Sequence, residues 1–152
     1  MTKDLNVLDV AVATNVLQHD MDTSPIGDPK GLLSGINMIL LPADTKMVEL
    51  MCSCLADRNI HYKKGNIATG DQFIATKEQK DYISNTFDAI AAEMEGGSIG
   101  HVCYVNKVPF AILRSISDGD GGETDYQTFA EKAAHQSIEV VLEFIGMAEE
   151  LK

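Results

Sequence analysis

The sequence has few basic residues and no cluster of them. Twelve lysines and arginines stand against 23 aspartates and glutamates, which gives a formal net charge of −11 at pH 7. Nucleic acids and anionic membrane surfaces are bound largely through positive charge, so this composition argues against both as partners. A small neutral or cationic ligand fits the charge balance better.

Cysteines and long apolar runs are also scarce. The three cysteines, Cys52, Cys54 and Cys103, are odd in number and lack the spacing of a disulfide framework. No histidine or second cysteine pair lies at zinc-ligand spacing, so we expect structural cysteines and no metal. No apolar run approaches the roughly 20 residues of a transmembrane helix, and the N-terminus lacks a basic-then-apolar signal. We therefore expect a cytoplasmic protein.

Strand and helix patterns alternate along the chain. With 152 residues, 45% of them hydrophobic, the sequence is long enough for a single domain over residues 1–152. Between the first strand and the first helix, residues 18–41 contain prolines and glycines and predict a long loop. The pattern predicts strands at 8–17, 64–75, 88–94 and 108–118, and helices at 42–59, 76–87, 95–107 and 124–151.

This alternation is typical of an α/β sheet with helices on its faces. In such sheets, ligands bind beyond the carboxyl ends of strands. Polar groups follow the apolar runs of three of the predicted strands: Asp71 after "NIATG", the pair Glu93 and Glu95 after "AIAA", and Asp118 with its neighbour Ser117 after "FAILRSI". We therefore expect a mixed or parallel sheet with Asp71, Glu95 and Asp118 around one pocket.

Each of these acids also has a purely structural interpretation. An acid at a helix N-terminus is stabilised by the helix dipole by ~0.3–1 kcal/mol, so Glu93 or Glu95 could cap the helix predicted at 95–107. One acid would suffice for that, and spacing alone leaves the cap and the binding site equally supported. Asp118 could simply begin the loop after its strand, although Arg114 and Ser117 on the same segment could bond to the acids.

Several segments resemble a known family. "AAEMEGGSIGHVC" (91–103) followed by "VPFAILRSISD" (108–118) is similar to the signature of the 5′-methylthioadenosine/S-adenosylhomocysteine nucleosidases, which belong to the nucleoside phosphorylase superfamily. "ATGDQFIA" (68–75) resembles their adenine-binding turn, and "TDYQTFAEKAAHQSIEVV" (124–141) their C-terminal helix. The resemblance implies a nucleoside phosphorylase-like mixed α/β sheet flanked by helices. It also implies an enzyme that hydrolyses the N-glycosidic bond of a small nucleoside and releases adenine.

On the sugar side, the resemblance assigns four residues. Glu95 would accept hydrogen bonds from the ribose hydroxyls while Met94 packs on the sugar ring. Glu93 would lie near the attacking water, with Arg114 close to it. Nearby carboxylates would stabilise the positive charge that develops on the sugar as the bond breaks.

On the base side, the resemblance assigns five further residues. Phe73 would stack on adenine and the Ile74 backbone would read its edge. Asp118 would donate or relay a proton to the purine N7, and Ser117 would orient that carboxyl group. Tyr126 would line the pocket from the start of the last helix.

The resemblance further implies no cofactor, a role in methionine salvage and a homodimer. In the family, the long loop reaches into the pocket of the partner subunit. Here Ile26 and Ser34 occupy loop positions where relatives usually have an aromatic residue and a proline.

Members of this family begin with a further N-terminal portion that carries the first strands, a water-activating glutamate and a Gly-rich loop near the sugar. Met1 aligns where that loop has ended, so we expect a sheet without those strands and weak turnover. We also expect the strand at 8–17 to present an open edge. Val10, Val12 and Val16, or their alternate neighbours, would then be buried between the chains of an obligate dimer or a larger species.

Two other functions fit the same residues. A purine nucleoside phosphorylase shares the Met-Glu and Ser-Asp pairs but also needs a phosphate site. A non-catalytic nucleoside-binding or structural subunit is the alternative from a different functional class. The "GHVC" segment (100–103) favours the nucleosidase over the phosphorylase.

Overall fold

The computed structural model describes residues 1–118 and 123–150. In that part of the chain, five strands form one mixed sheet flanked by four α-helices, so the predicted α/β fold is confirmed. The strands are β1 (Val10–Gln18), β2 (Leu41–Pro42), β3 (Tyr62–Thr69), β4 (Ala89–Glu93) and β5 (Leu113–Ser115). The helices are α1 (Thr45–Asp57), α2 (Lys77–Phe87), α3 (Gly96–Val105) and α4 (Glu123–Glu150).

Strand β1 lies in the interior of the sheet. It pairs in parallel with β3 on one side, and antiparallel with both β2 and β5 on the other. Strand β4 extends the sheet by pairing in parallel with β3. The predicted open edge at 8–17 is therefore wrong, because two short returning strands cover it. Val10, Val12 and Val16 are fully buried within this chain and not between chains.

The residues of β1 divide between the two faces of the sheet. Val10 and Val12 pack in a cluster with residues of α1 and α4. Ala11 and Ala13 belong to a second cluster on the other face. Val16 is in this second cluster too, although strict alternation along the strand would place it on the face of Val10 and Val12. A register shift between Ala13 and Asn15 in the β1–β3 ladder accounts for this, since an extra residue exchanges the faces.

Local capping determines where two of the helices begin. The side chain of Asp44 accepts a hydrogen bond from the Met47 N–H at 2.9 Å at the start of α1. Thr76 and Gln79 form a reciprocal capping box at the start of α2. Between β1 and β2, the predicted long loop has only a short 3-10 helix (Ser24–Ile26) and one isolated bridge as regular structure.

Two further features follow from burial and length. Cys52 and Cys54 lie in the core, and burial raises the pKa of both thiols. Strand β5 is much shorter than the strand predicted at 108–118. No helix in the described part of the chain combines the length and the apolar character needed to cross a membrane.

Candidate functional site

A cavity of about 860 Å³ lies along β4 and the segments that follow β3, β4 and β5. Nine residues that the resemblance singles out contribute to its walls. They are Phe73, Ile74, Glu93, Met94, Glu95, Arg114, Ser117, Asp118 and Tyr126. Residues distant in sequence therefore meet around one space large enough for a small molecule.

Two details of the strand-end argument are wrong. Asp71 is not part of the cavity wall; its N–H donates to the Asp20 carboxylate at 2.8 Å on an exposed stretch. Strand β5 runs antiparallel to β1, with Ser115 opposite Val10, so its carboxyl end does not share an edge with those of β3 and β4. Asp118 reaches the cavity through the segment after β5.

Of the acid pair, Glu93 caps the helix. It is buried, and its Oε2 accepts hydrogen bonds from the N–H groups of Gly96 at 2.7 Å and Glu95 at 3.1 Å. Its Oε1 accepts a hydrogen bond from the Thr69 hydroxyl, whose oxygen accepts the Gly97 N–H at 2.5 Å. These bonds satisfy backbone donors at the start of α3 that have no partner within the helix.

The two glycines after the acid pair allow α3 to approach the sheet closely. A Cβ atom on Gly97 would lie 2.7 Å from the Thr69 Cβ and 3.0 Å from the Leu17 carbonyl oxygen. One on Gly96 would lie 3.1 Å from a carboxylate oxygen of Glu93. The sequence Gly-Gly is thus needed for the Glu93 cap to form at this distance.

Glu95, in contrast, has a solvent-accessible carboxylate. Its side chain is 60% exposed, and its Oε2 lies 3.3 Å from a guanidinium nitrogen of Arg114. Met94 beside it is also exposed. Exposed ion pairs contribute at most about 1 kcal/mol, so a ligand hydroxyl can compete with Arg114 at low cost. Glu95 is therefore the member of the pair that is free to meet a ligand.

Two aromatic rings meet at another wall of the cavity. Phe73 and Tyr126 contact edge to face, with ring centroids 5.7 Å apart and an interplanar angle of 77°. Each is 47% exposed, so apolar ring surface remains open to a flat ligand. Ile74 packs against the core beneath the turn and fixes its position.

Asp118 is held at both carboxylate oxygens. The Ser117 hydroxyl lies 3.4 Å from Oδ1, and the Lys80 ammonium lies 3.6 Å from Oδ2. Lys80 lies in none of the motifs that the sequence offers for this site. A signal for it exists, because Lys80, Ile83 and Phe87 share one face of α2 and the latter two are buried. A lysine on the apolar face of a helix indicates a specific partner.

Ile26 and Ser34 do not line the cavity described above. Ile26 is 82% exposed in the 3-10 helix, and the Ser34 hydroxyl lies 3.4 Å from the Asp28 carboxylate. Among residues 1–118 and 123–150, no group of three His, Cys, Asp or Glu side chains is placed to hold a metal ion.

The chain was compared with known proteins. Its residues 1–146 match the sequence model of the phosphorylase superfamily. It is 37% identical over 139 residues to the aminodeoxyfutalosine nucleosidase of Helicobacter pylori, an alignment that covers 90% of this chain and 60% of that protein. It is 37% identical over 144 residues to the 5′-methylthioadenosine/S-adenosylhomocysteine nucleosidase of Staphylococcus carnosus, covering 93% and 63%.

Solved structures agree with these sequence matches. The crystal structure of a Helicobacter pylori nucleosidase variant with 5′-methylthioadenosine in its active site aligns with a TM-score of 0.91 at 34% identity. That alignment covers 96% of this chain and 64% of the other. The chain thus spans about 60% of the length of the curated relatives described above.

Proposed function

This chain belongs to the phosphorylase superfamily, and on that premise we propose that it hydrolyses the N-glycosidic bond of 5′-methylthioadenosine and S-adenosylhomocysteine, releasing adenine. One observation carries the proposal. The exposed Glu95, the Phe73–Tyr126 pair and the Ser117-held Asp118 surround a single cavity. These are the groups that a sugar, a purine and a leaving base would each require.

The reaction places different demands on the two sides of the cavity. Water bonds to the anomeric carbon as the C–N bond breaks, the electron pair of that bond goes to the purine, and the proton that the water loses passes to solvent. Asp118 supplies a proton to N7, so the base leaves as neutral adenine. Glu95 accepts hydrogen bonds from the ribose hydroxyls and stabilises positive charge on the sugar. Met94 packs on the sugar.

The base is recognised by shape and by backbone groups. Phe73 stacks on adenine, and Tyr126 limits the space at the edge of that ring. The backbone of Ile74 meets the polar edge of the purine, which distinguishes adenine from bases with other donor and acceptor patterns. Ser117 orients Asp118 towards N7.

The family resemblance places Glu93 and Arg114 near the attacking water. The Glu93 carboxylate already accepts hydrogen bonds from Thr69 and from the start of α3, which favours a role in holding Met94 and Glu95 in place. Arg114 lies beside Glu95, which favours a role in orienting that carboxylate.

The test is adenine release from 5′-methylthioadenosine by the purified chain, measured with and without phosphate. We expect release above the buffer control at a rate that phosphate does not change. A rate that requires phosphate would instead indicate a nucleoside phosphorylase. Saturable adenine binding without any release would indicate a nucleoside-binding protein that does not catalyse hydrolysis.

Aminodeoxyfutalosine is a second candidate substrate. The Helicobacter pylori relative named for it is as similar to this chain as the Staphylococcus carnosus nucleosidase, at 37% identity each. The ratio of kcat/KM values for aminodeoxyfutalosine and 5′-methylthioadenosine decides between them. A higher value for aminodeoxyfutalosine would make it the principal substrate.

The proposal includes a homodimer acting in the cytoplasm, in methionine salvage. Helix α3 supports the dimer, since its outward residues Ile99, Val102 and Val105 are spaced three apart and each at least half exposed. An apolar stripe of this kind commonly marks an interface. A second copy would cover it and would bring Ile26 and Ser34 of its long loop towards this chain.

We expect Val102→Glu to convert the dimer into a monomer. The new carboxylate would lose its hydration in the apolar interface and gain no partner there, which costs free energy. Sedimentation velocity at micromolar concentration measures the change. Leu142→Glu is the matched control, because Leu142 is equally exposed but lies on α4. Loss of the dimer in Leu142→Glu alone would place the interface on α4 instead.

A further inference from the structure

Lys80 stands out among the lysines around the cavity by its burial. Its side chain is only 12% exposed, whereas that of Lys77, one turn earlier on α2, is 79% exposed. A buried ammonium group is costly unless an anion compensates it. The carboxylate of Asp118 lies next to Lys80, with 3.6 Å between Oδ2 and the ammonium nitrogen.

Several other charged groups around the cavity have partners of their own. Lys77 pairs with Asp81 at 2.5 Å, and Arg114 pairs with Glu95. The Glu93 carboxylate receives its hydrogen bonds from Thr69 and from the start of α3. The ion pair of Lys80 is the one that joins α2 to the proposed proton donor, Asp118.

Lys80 and Ser117 hold different atoms of that carboxylate. Ser117 is the neighbour of Asp118 in sequence, and its hydroxyl lies near Oδ1. Lys80 approaches Oδ2 from α2. A carboxylate held at one oxygen can still rotate, whereas one held at both has a fixed plane. Helix α2 begins shortly after Phe73 and carries Lys80. The position of this helix therefore affects both the stacking ring and the contact with Asp118.

We propose that Lys80 is a positioning residue for Asp118, fixing its carboxyl group towards the purine N7. The inference rests on the proposed function, because it takes the purine as the ligand. Once Asp118 has given its proton to N7, the ammonium also stabilises the carboxylate that remains. Lys80 therefore acts on the base through Asp118 and not by contact with the ligand.

The experiment compares the binding of adenine and 7-deazaadenine by titration calorimetry. The two ligands have the same shape, but 7-deazaadenine has a carbon in place of N7 and cannot hydrogen-bond to Asp118. We expect Lys80→Met to weaken adenine binding by about tenfold, the effect of roughly one hydrogen bond to a charged group. The affinity for 7-deazaadenine should stay within about twofold, which also shows that the variant is folded.

Three further variants sharpen the comparison. Lys80→Arg keeps the charge and should retain most of the adenine affinity. Adding Lys80→Met to Asp118→Ala should cause no further loss, because the two residues act in series. Lys46→Met removes an exposed lysine of α1 and should change neither ligand. If Lys80→Met cannot be purified folded, Lys80→Gln replaces it in the same titrations.

The inference is overturned if Lys80→Met weakens both ligands equally, weakens neither, or adds its effect to that of Asp118→Ala. The proposed function fails separately. If the unaltered chain binds adenine no better than 7-deazaadenine, and Asp118→Ala changes neither affinity, the purine is not read at Asp118 and both statements are wrong. If Asp118→Ala weakens the binding of adenine but not of 7-deazaadenine, and Lys80→Met has no such selective effect, only the role of Lys80 is lost.

Discussion

Asp118→Asn is expected to lower the rate of adenine release from 5′-methylthioadenosine by about 10²–10⁴-fold, the usual contribution of a positioned general acid. Asparagine has nearly the same volume and can keep the contact with Ser117, but its amide N–H is far too weak an acid to transfer a proton to N7. The carboxyl group is partly buried, with Ser117 and Lys80 on its two oxygens. The measurement is kcat at saturating substrate.

Asp71→Asn is the matched control for this loss. Asp71 also follows a strand, but it lies outside the cavity wall. We expect its turnover to remain within about twofold of the unaltered chain, because surface substitutions away from a site have small effects. Equal losses in the two variants, or a loss below tenfold in Asp118→Asn, would remove Asp118 from the role of proton donor.

Glu93→Ala should lower the free energy of unfolding by about 2–4 kcal/mol, because it leaves several hydrogen-bond donors without an acceptor in a buried position. Those donors are the Gly96 and Glu95 N–H groups and the Thr69 hydroxyl. The start of α3 would also lose the negative charge that its dipole favours. Urea denaturation, followed by circular dichroism, gives the free energy.

Glu95→Ala provides the comparison within the same acid pair. Its carboxylate is exposed and pairs with Arg114 at the surface, so we expect a change below about 1 kcal/mol. Thr69→Val removes the hydroxyl while keeping the shape, and should fall between the two. If Glu93→Ala and Glu95→Ala destabilised the chain to the same extent, the cap would not be the structural role of Glu93.

Much of the fold could be predicted because its signals are local. The apolar run at 8–17 became β1, and the residues Asp44 and Thr76 act on backbone groups only three positions away. Period and capping need no knowledge of the rest of the chain. The order of the four helices and of β1, β3, β4 and β5 therefore followed from the sequence, whereas β2 was not predicted.

The pairing of β1 did not follow in the same way. Its second edge is covered by β2 and β5, which contribute only two and three residues. Segments this short have no clear strand pattern, and their pairing depends on how the chain returns to β1 from positions 41 and 113. The expectation of an open edge failed because strand pairing is non-local.

The sequence by itself singled out nine of the residues that line the cavity, because their motifs could be recognised. It could not determine what each acid does there. The strand register places Thr69 opposite Glu93, and the Glu93 carboxylate bonds to Thr69 and to the start of α3. The Glu95 carboxylate stays exposed. Packing of α2 likewise buries Lys80 beside Asp118. Residue type fixes which bonds a side chain can make, but the neighbours that make them come from strand register and helix packing, which only the tertiary structure sets.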